Sequence, residues 1–133
     1  MNARYLVDTD WAIDHLNGQE RTRQRLEELA ARGLGFSMIS LAGVYEGILY
    51  SQDPEKNERG LQDFLQDVTV IGIDEETSRL FGKERGWLRA EGKGVADFDL
   101  MIGMTARQPD LTLLTNNRRH FEHIQGLRIE SLD

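Results

Sequence analysis

Short apolar runs alternate along this chain with longer stretches whose apolar residues recur every three or four positions. Tyr5-Leu6-Val7 is a run of three apolar residues ending at the polar Asp8-Thr9-Asp10, which predicts a short buried strand. Trp11, Ile13 and Leu16 then predict a short helix, and charged residues 20–32, with Leu26 and Leu29 on one side, a second helix stopped by Gly33. Gly35 to Ile39 predicts the second strand. Ser40 is the expected N-cap of a helix carrying Leu41, Val44, Tyr45, Ile48 and Leu49 on one face.

Pro54 opens a helix burying Leu61, Phe64 and Leu65, and Val68 to Ile73 predicts the third strand, closed by Asp74. Residues 75–91 return to the helical period through Leu80, Phe81, Trp87 and Leu88 and run into the break Gly92-Lys93-Gly94. A helix from Asp97 to Arg107 follows, then strand Leu111 to Leu114, the polar tip Thr115-Asn116-Asn117, a short helix around Phe121 and a last strand Leu127 to Ser131. Strands alternating with helices predict an α/β fold with a parallel sheet of about four to five strands flanked by helices, in a single domain over residues 1–133. Such sheets bind ligands beyond the carboxyl ends of their strands. The residues to watch are therefore Asp8, Thr9 and Asp10, Ser37 to Ser40, Asp74, and Thr115 to Asn117.

Composition narrows the chemistry. The 133 residues contain no cysteine, which excludes disulfides, thiolate metal sites and cysteine nucleophiles. Any metal must be held by oxygen or imidazole. Sixteen basic against 23 acidic residues give a net charge of -7, so the whole-molecule field does not itself suggest a polyanionic partner. No apolar run approaches the ~18 residues of a membrane span, and no leader pattern opens the chain, so a soluble cytoplasmic protein with no membrane association is expected.

A carboxylate on Asp8, at the end of a central strand, is costly to bury unless paired or metal-bound. It is equally an N-cap, although Asp10 fits that role better. Asp97 and Asp99 open a later helix, where either is a cap or a ligand. Convergence of these carboxylates with Thr9, Thr115 and Asn117 at one sheet edge would make a hard-oxygen site suited to Mg²⁺ or Mn²⁺. Such a site supports metal-assisted phosphodiester hydrolysis. His120 and His123, three apart, lack a third partner for a metal site of their own, and His15 stands alone.

Leu6-Val7-Asp8-Thr9-Asp10, the helix opening Asp99-Leu100-Met101-Ile102-Gly103, and Leu113-Leu114-Thr115-Asn116-Asn117, followed by Phe121 and Gly126-Leu127-Arg128-Ile129, occur in that order. The set resembles the PIN-domain ribonucleases, specifically the VapC toxins of toxin-antitoxin pairs, over essentially the full chain. The resemblance implies a PIN-like fold and a Mg²⁺- or Mn²⁺-dependent endoribonuclease that arrests translation by cutting a tRNA or ribosomal RNA. It also implies a VapB antitoxin that neutralises the toxin, and a homodimer. Carried over by position, Asp8 is the first metal-binding carboxylate, Asp99 the third acidic position and Asn117 the occupant of the fourth, with Asp97 an additional helix cap. Thr9 and Thr115 support them.

The second acidic position is a departure. The family pattern places Glu three residues after a Ser or Thr and four before Gly, and in Ser40-Leu41-Ala42-Gly43-Val44-Tyr45-Glu46-Gly47 that slot holds Gly43. With Ser40 as N-cap, position 43 would also be the capping-box glutamate, and glycine inside a helix costs ~1 kcal/mol relative to alanine. Glu46, three residues on and about 60° around the helix, either substitutes in part or is a solvated surface glutamate. Weakened activity, natural or engineered, is the expectation.

Arg79, Lys83, Arg85, Arg89 and Lys93 outnumber Glu84 and Glu91 in residues 79–94, and Arg118 and Arg119 follow the polar tip. Beside an active site such clusters grip RNA phosphates, although they are more commonly a solvated face. Trp87 at helical spacing is read as core. Two alternatives stand beside the nuclease: a PIN-like module that binds antitoxin or RNA without cutting, and an aspartate-nucleophile phosphatase of the haloacid dehalogenase type using Asp8 and Asp10. The phosphatase needs a lysine after its second motif, but Lys56, Lys83 and Lys93 all precede Thr115.

Overall fold

The structure, a computed structural model, describes residues 3–132. Among them β1 (Tyr5–Val7), β2 (Leu34–Ser37), β3 (Thr69–Ile71), β4 (Thr112–Leu114) and β5 (Ile129–Glu130) form one parallel sheet in the order β3-β2-β1-β4-β5. The most apolar strand is central because both of its faces are covered. In register, Leu6 stands beside Leu113 and Val7 beside Leu114, and all four are fully buried.

The alternation of side chains along each strand sends these residues into two cores. Val7, Leu114 and Phe36 join Trp11, Leu26, Val44, Ile48 and Phe64 beneath α1 (Thr9–Leu16), α2 (Glu20–Leu29), α3 (Met38–Leu49) and α4 (Pro54–Gln66). Leu6 and Leu113 join Leu88, Leu100, Met104 and Phe121 beneath α5 (Glu75–Ala90), α6 (Asp97–Arg107) and α7 (Arg118–Phe121). Each large side chain so buried contributes ~1.5–3 kcal/mol. The expected α/β architecture, a parallel sheet of about four to five strands flanked by helices, is what forms. No helix among the described residues is long and apolar enough to cross a membrane.

Several boundaries differ from the sequence pattern. The second strand stops at Ser37, not Ile39, because the Ser37 hydroxyl accepts a 3.0 Å hydrogen bond from the Ile39 N–H and caps α3. An apolar pair such as Met38-Ile39 reads the same in a strand or a helix, and the cap decides between them. Ser40 therefore lies inside the first turn of α3, fully buried, and Gly43 lies one turn further in rather than at a capping-box position. On the expected apolar face Val44 and Ile48 are buried, whereas Leu49 is 59% exposed.

The second helix breaks at Leu29 into a 3-10 turn, Ala30–Arg32, which Gly33 ends with φ of 90°, a conformation that favours glycine. Asp74 accepts a 2.8 Å bond from the Thr77 N–H and caps α5, a structural role at the edge of the sheet. Glu84 is buried rather than part of a solvated face. Its carboxylate takes Arg107 at 3.0 Å and the Gln125 N–H at 2.9 Å, tying α5 to α6 and to the loop before β5.

Candidate active site

Asp8 and Thr115 are the first residues beyond β1 and β4, neighbouring strands that end together. The Asp8 N–H donates to the Leu114 carbonyl at 2.9 Å, extending the ladder by one residue. The Thr115 hydroxyl donates to Oδ2 of Asp8 at 2.7 Å. Asp8 occupies the N-cap position of α1, but its carboxylate makes no capping hydrogen bond.

Asp10, which the sequence suggested as the cap, has a different role. One of its oxygens accepts from the Trp11 N–H at 2.8 Å and the other from the Asn116 N–H at 2.9 Å. Asn116 in turn accepts, on Oδ1, the indole N–H of the fully buried Trp11 at 3.1 Å and the Leu132 N–H at 2.8 Å. The turn after β4 is thus fastened to the start of α1. With Asp10 committed in this way, the acid-base role that a phosphatase would need from it is not free.

Asp99 comes from the first turn of α6, with its side chain 25% exposed. Asp97 does not cap that helix, since Ala96 holds the N-cap position; its carboxylate pairs at the surface with Arg85 at 2.7 Å. Burial pushes Asp8 up to about 7, and the charges of Asp10 and Asp99 add to the rise, while the Thr115 hydroxyl and the Thr9 N–H pull it back. Asp99 is likewise raised by burial, an effect His120 partly offsets. Nδ1 of His120 lies 3.3 Å from Oδ2 of Asp99.

Thr9 joins a second neighbour, donating from its hydroxyl to Oγ of Ser40 at 2.9 Å and pinning the start of α1 to the start of α3. One turn beyond Ser40, Gly43 faces open space, for a Cβ built there meets nothing within 4 Å. Packing does not require glycine at this position. Gly43 lines an apolar groove of about 390 Å³ between α1, α3 and α4, together with Ile13, Leu16, Val44, Gly47 and Ile48.

Glu46 is exposed, lies outside that groove and makes no ion pair among the described residues. No hydrogen bond or ion pair among the described residues joins it to Asp8 or Asp99. Asn117 is exposed just past Thr115, to whose hydroxyl its N–H donates at 3.0 Å. Arg118 is partly spent on the Ile129 carbonyl at 3.1 Å, whereas Arg119 is exposed and makes no ion pair among the described residues. Along α5, Arg79 pairs with Glu75 and Arg85 with Asp97, which neutralises part of the basic stretch. Lys93 lies over the half-buried ring of Trp87, which packs against the second core as expected.

Among the described residues no group of three histidine, aspartate or glutamate side chains is arranged to hold a metal. The donor set still fits a hard divalent cation. Mg²⁺ typically binds through one or two carboxylates and takes its remaining ligands from water and substrate phosphate. Asp8 is 4% exposed and stands in the field of two further carboxylates, a concentration of negative charge that a cation would relieve.

Three comparisons bear on what this arrangement does. The PIN domain family profile matches residues 5–127. The chain is 29% identical over 127 residues to the tRNA(fMet)-specific endonuclease VapC of Shigella flexneri, covering 96% of each. It is 31% identical over 133 residues to ribonuclease VapC2 of Haemophilus influenzae, covering 96% of this chain and 97% of the relative. In structure it is similar to a chain of VapBC2 from Rickettsia felis, solved bound to a DNA fragment from their promoter, with a TM-score of 0.91, 28% identity, and 97% and 98% of the two chains covered.

Proposed function

This chain belongs to the PIN-domain family, and we propose that it is a VapC-type endoribonuclease toxin that cuts a tRNA or ribosomal RNA and arrests translation. In this reading Asp8 and Asp99 hold Mg²⁺ or Mn²⁺, residues 1–133 form a single PIN domain acting as a cytoplasmic homodimer, and a VapB-type antitoxin restrains it. The observation that carries the reading is the buried Asp8 carboxylate at the end of the central strand, raised in pKa chiefly by that burial, with the charges of Asp10 and, from a distant segment, Asp99 adding to the rise.

When bound, the divalent cation supplies neutralisation of the scissile phosphate and a lowered pKa for the attacking water. The chain's own contribution is preorganisation. Thr115 holds one oxygen of Asp8, and Asp10 and Asn116 fix the turn that presents Asn117 at the rim. Asn117 offers an uncharged amide to a phosphate or base where a fourth carboxylate would repel it. Arg118 and Arg119, on the first turn of α7, supply the charge that draws the RNA backbone to the acidic site.

The test is incubation with tRNA and ribosomal RNA in Mg²⁺ or Mn²⁺, with and without EDTA. Cleavage that needs the cation and is lost in Asp8→Asn and Asp99→Asn is the expected result. Cleavage that survives chelation or Asp8→Asn would overturn the proposal. Gly43 favours a second reading, a PIN module that binds antitoxin or RNA without cutting, and intact antitoxin binding with no cleavage would select it.

A further inference from the structure

Spacing alone gives neither His120 nor His123 a role, and in the structure their surroundings differ. His123 makes no ion pair among the described residues, whereas His120 lies 3.3 Å from Asp99. His120 is the only basic side chain within ion-pair distance of that carboxylate among the described residues. It lies on α7, the short helix that follows the turn carrying Thr115. The His120 N–H donates to the Asn117 carbonyl at 3.0 Å, and its neighbour Phe121 is buried in the second core, so the backbone behind the imidazole is anchored on both sides.

We infer that His120 is a positioning residue for Asp99, fixing the orientation in which that carboxylate meets the divalent cation. The inference rests on the metal site proposed above. With Nδ1 of His120 standing 3.3 Å from Oδ2, the Asp99 carboxylate is restricted in the directions it can present to a cation, and changing such neighbours of metal-binding groups typically costs ~10–100-fold in metal affinity. The effect weighs more here because Gly43 leaves fewer carboxylates, and Asp97 cannot substitute while Arg85 holds it.

The experiment is calorimetric titration of Mn²⁺ into the metal-free protein at pH 8, without RNA, for the unaltered chain and for His120→Ala, His120→Asn, Asp8→Asn and Asp99→Asn. His120→Ala is expected to weaken Mn²⁺ binding by about 10–100-fold. His120→Asn, whose amide nitrogen can stand near the place of Nδ1, is expected to recover most of that loss, and the melting temperature of the metal-free protein should barely move in either variant. Unchanged affinity in His120→Ala, with Asp99→Asn still impaired, overturns this inference alone. Failure of asparagine to rescue, with Ni²⁺ affinity falling far more than Mn²⁺, would make His120 a direct ligand and likewise overturn positioning. Full Mn²⁺ binding in both Asp8→Asn and Asp99→Asn would remove the metal site itself, and this inference with it.

Discussion

The Thr115 hydroxyl donates to Oδ2 of Asp8 at 2.7 Å across the seam between the two central strands, and both residues are almost wholly buried. The bond stabilises the ionised carboxylate, opposing the burial that raises it. Thr115→Val should therefore push the Asp8 pKa further up. A hydrogen bond to a charged group contributes ~1.5–3 kcal/mol, so cleavage at pH 7 should fall ~10–100-fold and its pH profile shift to the alkaline side. Thr115→Ser should retain both. Carboxyl-carbon NMR titration of Asp8 checks the shift directly.

Stability of the metal-free protein should depend on the same carboxylate. Because its folded pKa lies above the unfolded one, the folded state holds more protons than the unfolded state between pH ~4 and ~7, and stability falls as pH rises through that window. At ~1.4 kcal/mol per pKa unit the loss amounts to a few kcal/mol by pH 8. Asp8→Asn should be the more stable protein at pH 8 in EDTA and should lose that advantage near pH 4. Adding Mg²⁺ at pH 8 should raise the melting temperature of the unaltered chain but not of Asp8→Asn.

Position 43 separates helix propensity from chemistry, because its Cβ would meet open space. Gly43→Ala should stabilise the protein by ~0.5–1 kcal/mol in urea denaturation, with no gain in cleavage. Gly43→Glu, which adds a carboxylate where the family pattern has one, should raise Mn²⁺ affinity and cleavage by about tenfold or more. An equal effect of alanine and glutamate on cleavage would contradict the site as drawn.

Glu84 provides the converse case. Removing one partner of a buried ion pair typically costs ~3–5 kcal/mol, and partial exposure of Arg107 lowers that to ~2–4 kcal/mol for Glu84→Ala. Metal affinity measured well below the melting temperature should be unchanged, because the Arg107 end of α6 is about two turns, ~12 Å, from Asp99.

Hydrophobic periodicity alone was enough to read the alternation of strands and helices, since each apolar run is long enough to be buried on its own, and it located α6 over Asp97–Arg107. The polar residues that end those runs, Asp8 and Thr115, were legible for the same reason. Periodicity could not say which of two hydroxyls caps α3, because Ser37 and Ser40 are equally good acceptors in sequence and only the chain's path selects Ser37. Nor could it show that Glu84 is buried, a charge tolerated only because Arg107 and Gln125 arrive from elsewhere.

The sequence by itself determined the alternating architecture, the absence of cysteine chemistry and the residues standing at the strand ends. The partners of those residues were decided by tertiary structure. Thr115 on Asp8, Asn116 on Asp10, Ser40 beneath Thr9 and His120 on Asp99 are contacts between segments from 21 to 107 residues apart. Local propensity carries no information about such pairs. They exist because parallel pairing of β1 with β2 and with β4 brings the segments that follow these strands to one edge, where a buried carboxylate must find donors or a cation.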